Sequence, residues 1–432
     1  MTFGDALAYL DSLLQRGIAP GLDRMQAAMG LLAEPQRTFD VIHVTGTNGK
    51  SSVARAAAAI VGATGLHTGL YTSPHLTSVT ERIVIDGRPI GEHEFADAIE
   101  YLVPILTSVE DACASAPTYF EAVTILALQH FAAEACAVGV LEVGLGGTFD
   151  ATNVADGTVA VITNVAVDHV EFLGGDPVVI AAEKAGIIKE DAIAVTGVDT
   201  PELLGVVESR CRDVGATGLW RLGHEVRIEA VTPALGGTVV DVVTPAGRHE
   251  GVEIPLLGGF QTTNTALALA AVEAFLGCRV DDGVLAEACA GLRAPGRLEV
   301  VAQHPLTVVD GAHNPAGVEA LLATLRQVFH FDGLLVVCGV LADKDVSGIV
   351  GPLATAADRF YATAPDATRA ADVVVVADAA EAVGTEVFEE PGVGAALAAA
   401  RDDAGPHDMV LVTGSLTTVA EARAALEIDV GT

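Results

Sequence analysis

Residues 41–52 read VIHVTGTNGKSS. An apolar, β-branched lead-in runs into a turn bounded by Gly46 and Gly49. A lysine follows, then two hydroxyls, then the alanine-rich run Val53–Val61. β-branched residues suit strands and alanine suits helices, so the stretch predicts strand, turn and helix. That layout is a phosphate cradle. Glycines let the backbone approach an anion closely, amides at the helix start point at it, and the helix dipole favours negative charge there. Gly46, Thr47, Asn48 and Gly49 form the turn. Lys50 is placed to reach terminal phosphates, and Ser51 or Ser52 to meet Mg2+. The spacing is GxxGKS, shorter than the common GxxxxGK[ST], and Val44 stands where the longer pattern has its first glycine.

Lysine is scarce elsewhere. Of 23 basic residues only Lys50, Lys184, Lys189 and Lys344 are lysines. In such a composition each survivor invites a reason, and a point charge on phosphate is a usual one. For Lys189 and Lys344 an ordinary surface charge is the competing reading.

The length of 432 residues predicts two or three domains. Apolar residues make up 51% but aromatics only 4%, so the core is built from Ala, Val, Leu and Ile. That suits helices packed on a parallel sheet. A net charge of −34 argues against nucleic acid or an anionic membrane as partner. An anionic substrate would then need a local positive site. The acidity with little lysine fits a salty cytoplasm and a base-composition bias equally well. The six cysteines are scattered without a CxxC, which predicts reduced thiols rather than disulfides or a thiolate metal site. Met1–Leu14 lacks the pattern of a signal peptide, and the uncharged stretch 56–80 is too broken by Gly, Thr, His and Pro to span a bilayer. A cytoplasmic monomer acting on small molecules is the expectation.

Along the chain, the first 40 residues predict helices separated by the turn 17–21. After the phosphate turn come a strand near 68–71, a hairpin over 82–90, and helices at 92–108 and 118–135. Strands follow at 138–147, 158–170 and 192–197, with a helix at 180–188. Gly46, Ser73, Glu142 and His169 all fall at predicted strand ends, where ligands of parallel sheets bind. Residues 223–256 predict an antiparallel insertion, and an alanine-rich helix follows Gln261–Asn264. A boundary at 294–297 precedes a second βα series. In it, strands at 306–314, 334–340, 359–364 and 409–415 alternate with helices at 315–329, 346–357, near 392–404 and after 415.

The chemistry these residues offer is activation of a carboxylate. Lys50 and the loop amides neutralise phosphate charge, and Glu142, Ser73 and a neutral His169 offer Mg2+ ligands. Lys184, beside an Ala-Gly-Ile-Ile run, could lose its charge by burial, and a neutral amine reacts with carbon dioxide. The competing reading of Lys184 is a plain ammonium on phosphate.

GTNGKSS, TSPHL (72–76), ERIVIDGRPI (81–90), EVGLGGTFDATN (142–153), DH (168–169), EKAGIIK (183–189), PGRLEVV (295–301) and DGAHNP (310–315) occur in one order. With these motifs the chain resembles the bifunctional folylpolyglutamate synthase/dihydrofolate synthase family of the Mur ligase superfamily. The resemblance implies ATP-dependent ligation of L-glutamate to a dihydropteroate or folate carboxylate. It implies an α/β fold with a phosphate-loop ATPase domain, residues 1–293, and a smaller Rossmann-like domain, residues 294–432. It also implies that Ser73, Glu142 and His169 coordinate the metal and that Lys184 carries a carbamate. Gln261 and Asn264 would lie on the nucleotide side of the first domain. Arg297 would contact phosphate, and Asp310 and His313 would reach the nucleotide. In bifunctional members an Asp-Ala pair at the place of Asp150-Ala151 is associated with dihydropteroate. Asp150 can accept from the amino edge of a pterin, Phe120 offers a flat apolar face, and Ala151 leaves room. The bland reading is that Asp150 caps a turn and Phe120 is core. Two positions depart from the family pattern: Phe260 replaces the usual histidine before Gln261, and Ser51 replaces a frequent glycine. A synthase of folylpolyglutamates only, a cell-wall ligase and a nucleotide switch are the alternatives.

Overall fold

The computed structural model describes residues 1–17 and 19–428, so Ile18 of the predicted turn lies outside the described residues. The chain opens with helices α1 (Phe3–Leu14) and α2 (Asp23–Leu31). Then come β1 (Asp40–Thr45), α3 (Lys50–Ala63), β2 (Thr68–Tyr71), β3 (Ile83–Ile85), β4 (Arg88–Pro89), α4 (Glu92–Cys113), α5 (Tyr119–Ala133), β5 (Val138–Glu142) and β6 (Val159–Ile162). The single-turn α6 (Val170–Leu173) leads to α7 (Pro177–Ala185), β7 (Ile193–Thr196), α8 (Pro201–Val214) and β8 (Gly218–Arg221). Strands β9 (Arg227–Ala234), β10 (Gly237–Thr244) and β11 (Gly247–Ile254) precede helices α9 (Gly259–Leu276) and α10 (Asp282–Ala290).

The backbone divides into two compact units. The first holds Met1–Ala166, Gly175–Pro255 and Gln261–Leu292. The second begins in earnest at Arg293 but also gathers Val167–Gly174 and Leu256–Phe260.

The sheet of the first unit has the order β4-β3-β2-β5-β1-β6-β7-β8. From β2 to β8 all neighbours are parallel, and the β3–β4 hairpin adds antiparallel strands at one edge. Five of the six residues of β1 are buried, as befits a central strand covered on both faces. The chain leaves β1 toward β2, and β5 later fills the gap between them, with β6 on the other flank. That reversal of direction puts a crevice at the carboxyl end of β1, where the phosphate turn sits. One apolar cluster joins α1, α2, α4 and α5 on one face; another joins α7 and α8 on the far strands. Strands β9, β10 and β11 form a separate antiparallel sheet, the predicted insertion.

The second unit adds β12 (Glu299–Gln303), β13 (Leu306–Val309), α11 (Pro315–Val328), β14 (Leu334–Cys338), α12 (Val346–Ala356), β15 (Arg359–Ala362), α13 (Val373–Glu381), β16 (Val387–Glu389), α14 (Val393–Asp403), β17 (Met409–Thr413) and α15 (Leu416–Ala425). Its sheet runs β12-β13-β17-β14-β15-β16, parallel except for β12. The chain is thus α/β in both units.

Three expectations need correction. The predicted strand 158–170 stops at Ile162. Thr163 and Asn164 turn their side chains onto the phosphate loop instead of extending the ladder. His169 therefore stands seven residues past the strand, not at its end. The predicted helix 180–188 begins at Pro177 and ends at Ala185, with Gly186 as its C-cap. Gln261 and Asn264 lie inside the first turns of α9 rather than before it. The sequence reading also omitted α8, β8, α10, β12, α13 and β16. Among the described residues no helix is long and apolar enough to cross a membrane, and all six cysteines are free.

Candidate active site

The phosphate turn is held from two sides. Gly49 caps α3 at φ +84°, and a Cβ on it would meet Asn264 Oδ1 at 2.5 Å. Gly46 has φ +151°, and a Cβ there would fall 1.8 Å from Thr163 Oγ1. Glycine is demanded at both places by backbone conformation and by close approach. The segment after β6 braces the turn. Asn164 Oδ1 accepts from Asn48 N at 2.9 Å, Thr163 Oγ1 donates to Asn48 O at 2.6 Å, and Thr47 Oγ1 donates to Ala166 O at 3.0 Å. This bracing fixes the helix start that an anion would meet.

Two ammonium groups converge on one carbonyl of the turn. Lys50 Nζ donates to Gly46 O and Thr47 O, both at 3.1 Å, and Lys184 Nζ donates to Gly46 O at 2.9 Å. Lys184 is 4% exposed. Its helix, α7, is bolted to the glycine turn after β5. Glu183 O accepts from Thr148 N at 3.0 Å and from Thr148 Oγ1 at 3.1 Å, and a Cβ on Gly147 would meet Glu183 O at 2.6 Å.

Glu142 ends β5 and is buried. Its Oε1 accepts from Ser51 Oγ at 2.7 Å and its Oε2 from Ser73 N at 3.1 Å. Burial raises its carboxyl above the ordinary value, while the Lys50 charge and the bonds from Ser51 and Ser73 pull it back. Ser51, Ser73 and Glu142 are thus brought together, and Ser52 lies part-exposed one residue along α3. Hydroxyl and carboxylate oxygens of this kind suit a hard cation such as Mg2+. In the same unit, Asn264 Nδ2 donates to Gln261 Oε1 at 3.2 Å.

Asp150 is used locally. Its Oδ1 accepts from Thr152 N at 3.0 Å and Thr152 Oγ1 at 2.5 Å, and its Oδ2 accepts from Leu145 N at 2.9 Å. It caps the single turn Ala151–Val154, and burial raises its carboxyl. Phe120 packs against Gly144, where a Cβ would meet its ring at 2.5 Å, and lies 6.1 Å from the Tyr71 ring. The bland reading of both residues therefore describes what they do within the protein. Phe120 is the second residue of α5, which opens on a capping box of Thr118 and Glu121, and Glu121 also pairs with Arg24.

In the second unit the turn 310–314 joins β13 to α11. Buried Asp310 accepts from Leu298 N and Ala312 N, both at 2.8 Å. Burial raises its carboxyl, and the Arg297 charge opposes this. Arg297 donates to Gly311 O at 3.1 Å, and His313 Nδ1 donates to the same carbonyl at 2.8 Å. Asp168 belongs to this unit too. It accepts from Asn314 Nδ2 at 3.1 Å and from Lys344 Nζ at 2.6 Å. Burial works to raise its carboxyl, but the His313 bond and the charges of His169 and Lys344 hold it far below the usual range. His169 caps α6 in the left-handed region at φ +51°, its side chain 35% exposed. Sequence reasoning noted Lys344 through lysine scarcity but had no signal for its partner.

Residues 44–272 match the Mur ligase middle domain, and residues 296–416 match the Mur ligase glutamate ligase domain. A dihydrofolate synthase/folylpolyglutamate synthase of Mycobacterium tuberculosis is 38% identical over 438 residues, covering 94% of this chain and 90% of that protein. The chain belongs to the dihydrofolate synthase/folylpolyglutamate synthase family of Mur ligases. Solved structures agree. Mycobacterium tuberculosis folylpolyglutamate synthase, complexed with ADP and AMPPCP, superposes with a TM-score of 0.94 at 37% identity over 99% of both chains. The E. coli FolC complex with DHPP and ADP gives 0.89 at 32% identity, covering 99% of this chain and 98% of that one. The chain is accordingly an ATP-dependent ligase, with the α/β fold of folylpolyglutamate synthases. Of this ligase's two departures from the family pattern, Ser51 gives its hydroxyl to Glu142. Phe260 packs into the apolar cluster of the second unit.

Proposed function

We propose that this ligase adds L-glutamate both to dihydropteroate and to folates, by way of an acyl phosphate. The acceptor carboxylate attacks the γ-phosphorus of ATP, ADP leaves, and the glutamate amine then displaces phosphate from the acyl carbon. The observation that carries the reading is the braced GTNGKSS turn with Lys50 and Lys184 on one carbonyl beside buried Glu142, in a chain of this family. Lys50, at the end of the turn Gly46, Thr47, Asn48 and Gly49 that would cradle the phosphates, would neutralise the charge that shifts during phosphoryl transfer. Ser51, Ser52, Ser73, Glu142 and His169 are the groups that would hold Mg2+, which supplies charge neutralisation on the phosphate oxygens. Lys184 as a carbamate would turn one cation of the pair into an anion. Gln261, Asn264, Arg297, Asp310 and His313 would bind the nucleotide. Residues 1–293 would be the ATP-binding domain and 294–432 the Rossmann-like ligase domain. Phe120, Asp150 and Ala151 would meet the pterin, Asp150 through the lone pairs its local bonds leave over. A solved FPGS-AMPPCP-folate complex, 32% identical to this chain, supports a folate substrate in this family.

Small-molecule substrates, a monomeric state and a cytoplasmic location complete the proposal. The strongly acidic surface supports the exclusion of nucleic acid and anionic membranes. The test supplies dihydropteroate, glutamate, ATP and Mg2+ and measures dihydrofolate, with extension of a reduced folate in parallel. Extension without dihydrofolate formation leaves a folylpolyglutamate synthase only; ATP turnover independent of both substrates overturns the ligase reading.

A further inference from the structure

A second constellation of metal-ligating side chains lies in the first unit, on helices the ligase reaction does not use at that end. Glu94 sits in the first turn of α4, His130 in the last turn of α5, and Glu134 is the C-cap of α5. His130 and Glu134 are four residues apart, which places them on one helical face. One donor atom from each of the three lies within 4.8 Å of the others.

His130 sets the cluster apart from ordinary surface acids. Its side chain is 8% exposed, yet among the described residues its ring nitrogens make no hydrogen bond. Glu94 Oε1 is 3.9 Å from Nδ1, beyond hydrogen-bond reach. Most of the ring is buried while its nitrogens stay open to solvent beside the two carboxylates, so the imidazole keeps a lone pair that has no protein partner. A cation between them would supply it. The end of α5 also favours a cation: the dipole is negative there, and two carboxylates add to it. The charge of −34 raises the local cation concentration further.

We propose that Glu94, His130 and Glu134 form a site for one divalent transition ion of the Zn2+ class. The donor set decides the class. Imidazole suits Zn2+ and its neighbours, whereas Mg2+ and Ca2+ prefer shells of oxygen alone. Zinc bonds to nitrogen and oxygen run about 2.0–2.2 Å, so neighbouring ligands stand about 3.4 Å apart in a tetrahedron. The imidazole is held by its helix, and the two exposed glutamates need move only about 1 Å inward to reach that spacing. Water would take the fourth position. The ion would tie the start of α4 to the end of α5, the helix whose other end carries Phe120.

The test uses the full chain, stripped with a chelator and dialysed against Zn2+ with millimolar Mg2+ present. Metal analysis on the wild type should show one more tightly held Zn2+ than on Glu94→Gln/Glu134→Gln. Zn2+ should raise the wild-type Tm by a few degrees and leave that of the double variant unmoved. Co2+ should give the visible absorption of a four-coordinate ion in the wild type alone. Both glutamates are exposed, so the double variant should keep the metal-free Tm. Should it fail to fold, Glu134→Gln alone should weaken binding tenfold or more. Equal stoichiometry in wild type and variant, or no Zn2+ bound by the wild type, overturns the site.

Discussion

Lys344 Nζ lies 2.6 Å from Asp168 Oδ1, and each side chain is 7% exposed. Asn314 and His313 approach the same carboxylate, so three groups of the second unit meet at a residue from the distant segment Val167–Gly174. The neighbour of Asp168 is His169, the proposed metal ligand. The ion pair therefore fixes where that ligand starts from.

Removing one partner of a buried pair strands the other charge, at a cost of about 3–5 kcal/mol. Lys344→Met should lower the urea midpoint accordingly. Adding Asp168→Asn should recover part of the loss, since the stranded carboxylate is gone. A double variant no more stable than Lys344→Met would show that the pair is not what holds the segment.

Lys50→Ala should leave Tm within a degree or two and lower kcat on the order of 100-fold or more, because the lysine offsets charge that grows during phosphoryl transfer. Near-normal turnover would remove the phosphate turn from the reaction.

The turn itself was legible. Strand, glycines, lysine and helix stand where the spacing VTGTNGKSS predicts them, and the alternation of βα units predicted a parallel sheet. What was not legible is tertiary. Thr163 and Asn164 read as a continuing strand, and nothing local says that their side chains bond to Asn48. Asp150 read equally well as a cap and as a pterin contact, because both roles ask for the same carboxylate. The apolar run of α13, VVVV, carries no periodicity that separates helix from strand.

Gly49→Ala tests the bracing. The new methyl would meet Asn264 Oδ1 at 2.5 Å at a φ of +84°. ATP affinity should fall at least tenfold, as the helix start is displaced from the anion. Asn264→Gly in the same chain relieves the collision but not the backbone strain, so recovery should be partial. Unchanged ATP affinity in calorimetry would contradict a rigid turn.

Acid sensitivity follows from His43. It is fully buried on β1 with Nε2 2.8 Å from Thr152 Oγ1, and burial, helped by the Lys189 charge, lowers its pKa to about 3. The unfolded chain takes up this proton below about pH 6.5 and the folded one does not. Stability from this group is therefore complete above pH 6.5 and drains away as pH falls toward 3. Between pH 7 and 5 the loss is about 2 kcal/mol. His43→Gln should flatten that limb of the urea-midpoint profile. An unchanged slope would assign the acid sensitivity to other groups.

Lys184 decides the charge balance beside the phosphate turn. Its Nζ donates to Gly46 O, and it is 4% exposed on a helix bolted to the turn after β5. Two ammoniums on one carbonyl repel each other, and the proposed conversion of Lys184 to a carbamate would relieve this. In that reaction the neutral amine would attack carbon dioxide, release a proton and become an N-carboxylate. The carbamate nitrogen would keep one hydrogen, enough to go on donating to Gly46 O. Lys184→Ala should lose activity, and a small added carboxylate should restore part of it. Protein equilibrated with 13C-bicarbonate should show a carbamate carbon signal that Lys184→Arg lacks. If the wild type shows no such signal while Lys184→Ala is still inactive, the residue acts as a plain ammonium on phosphate.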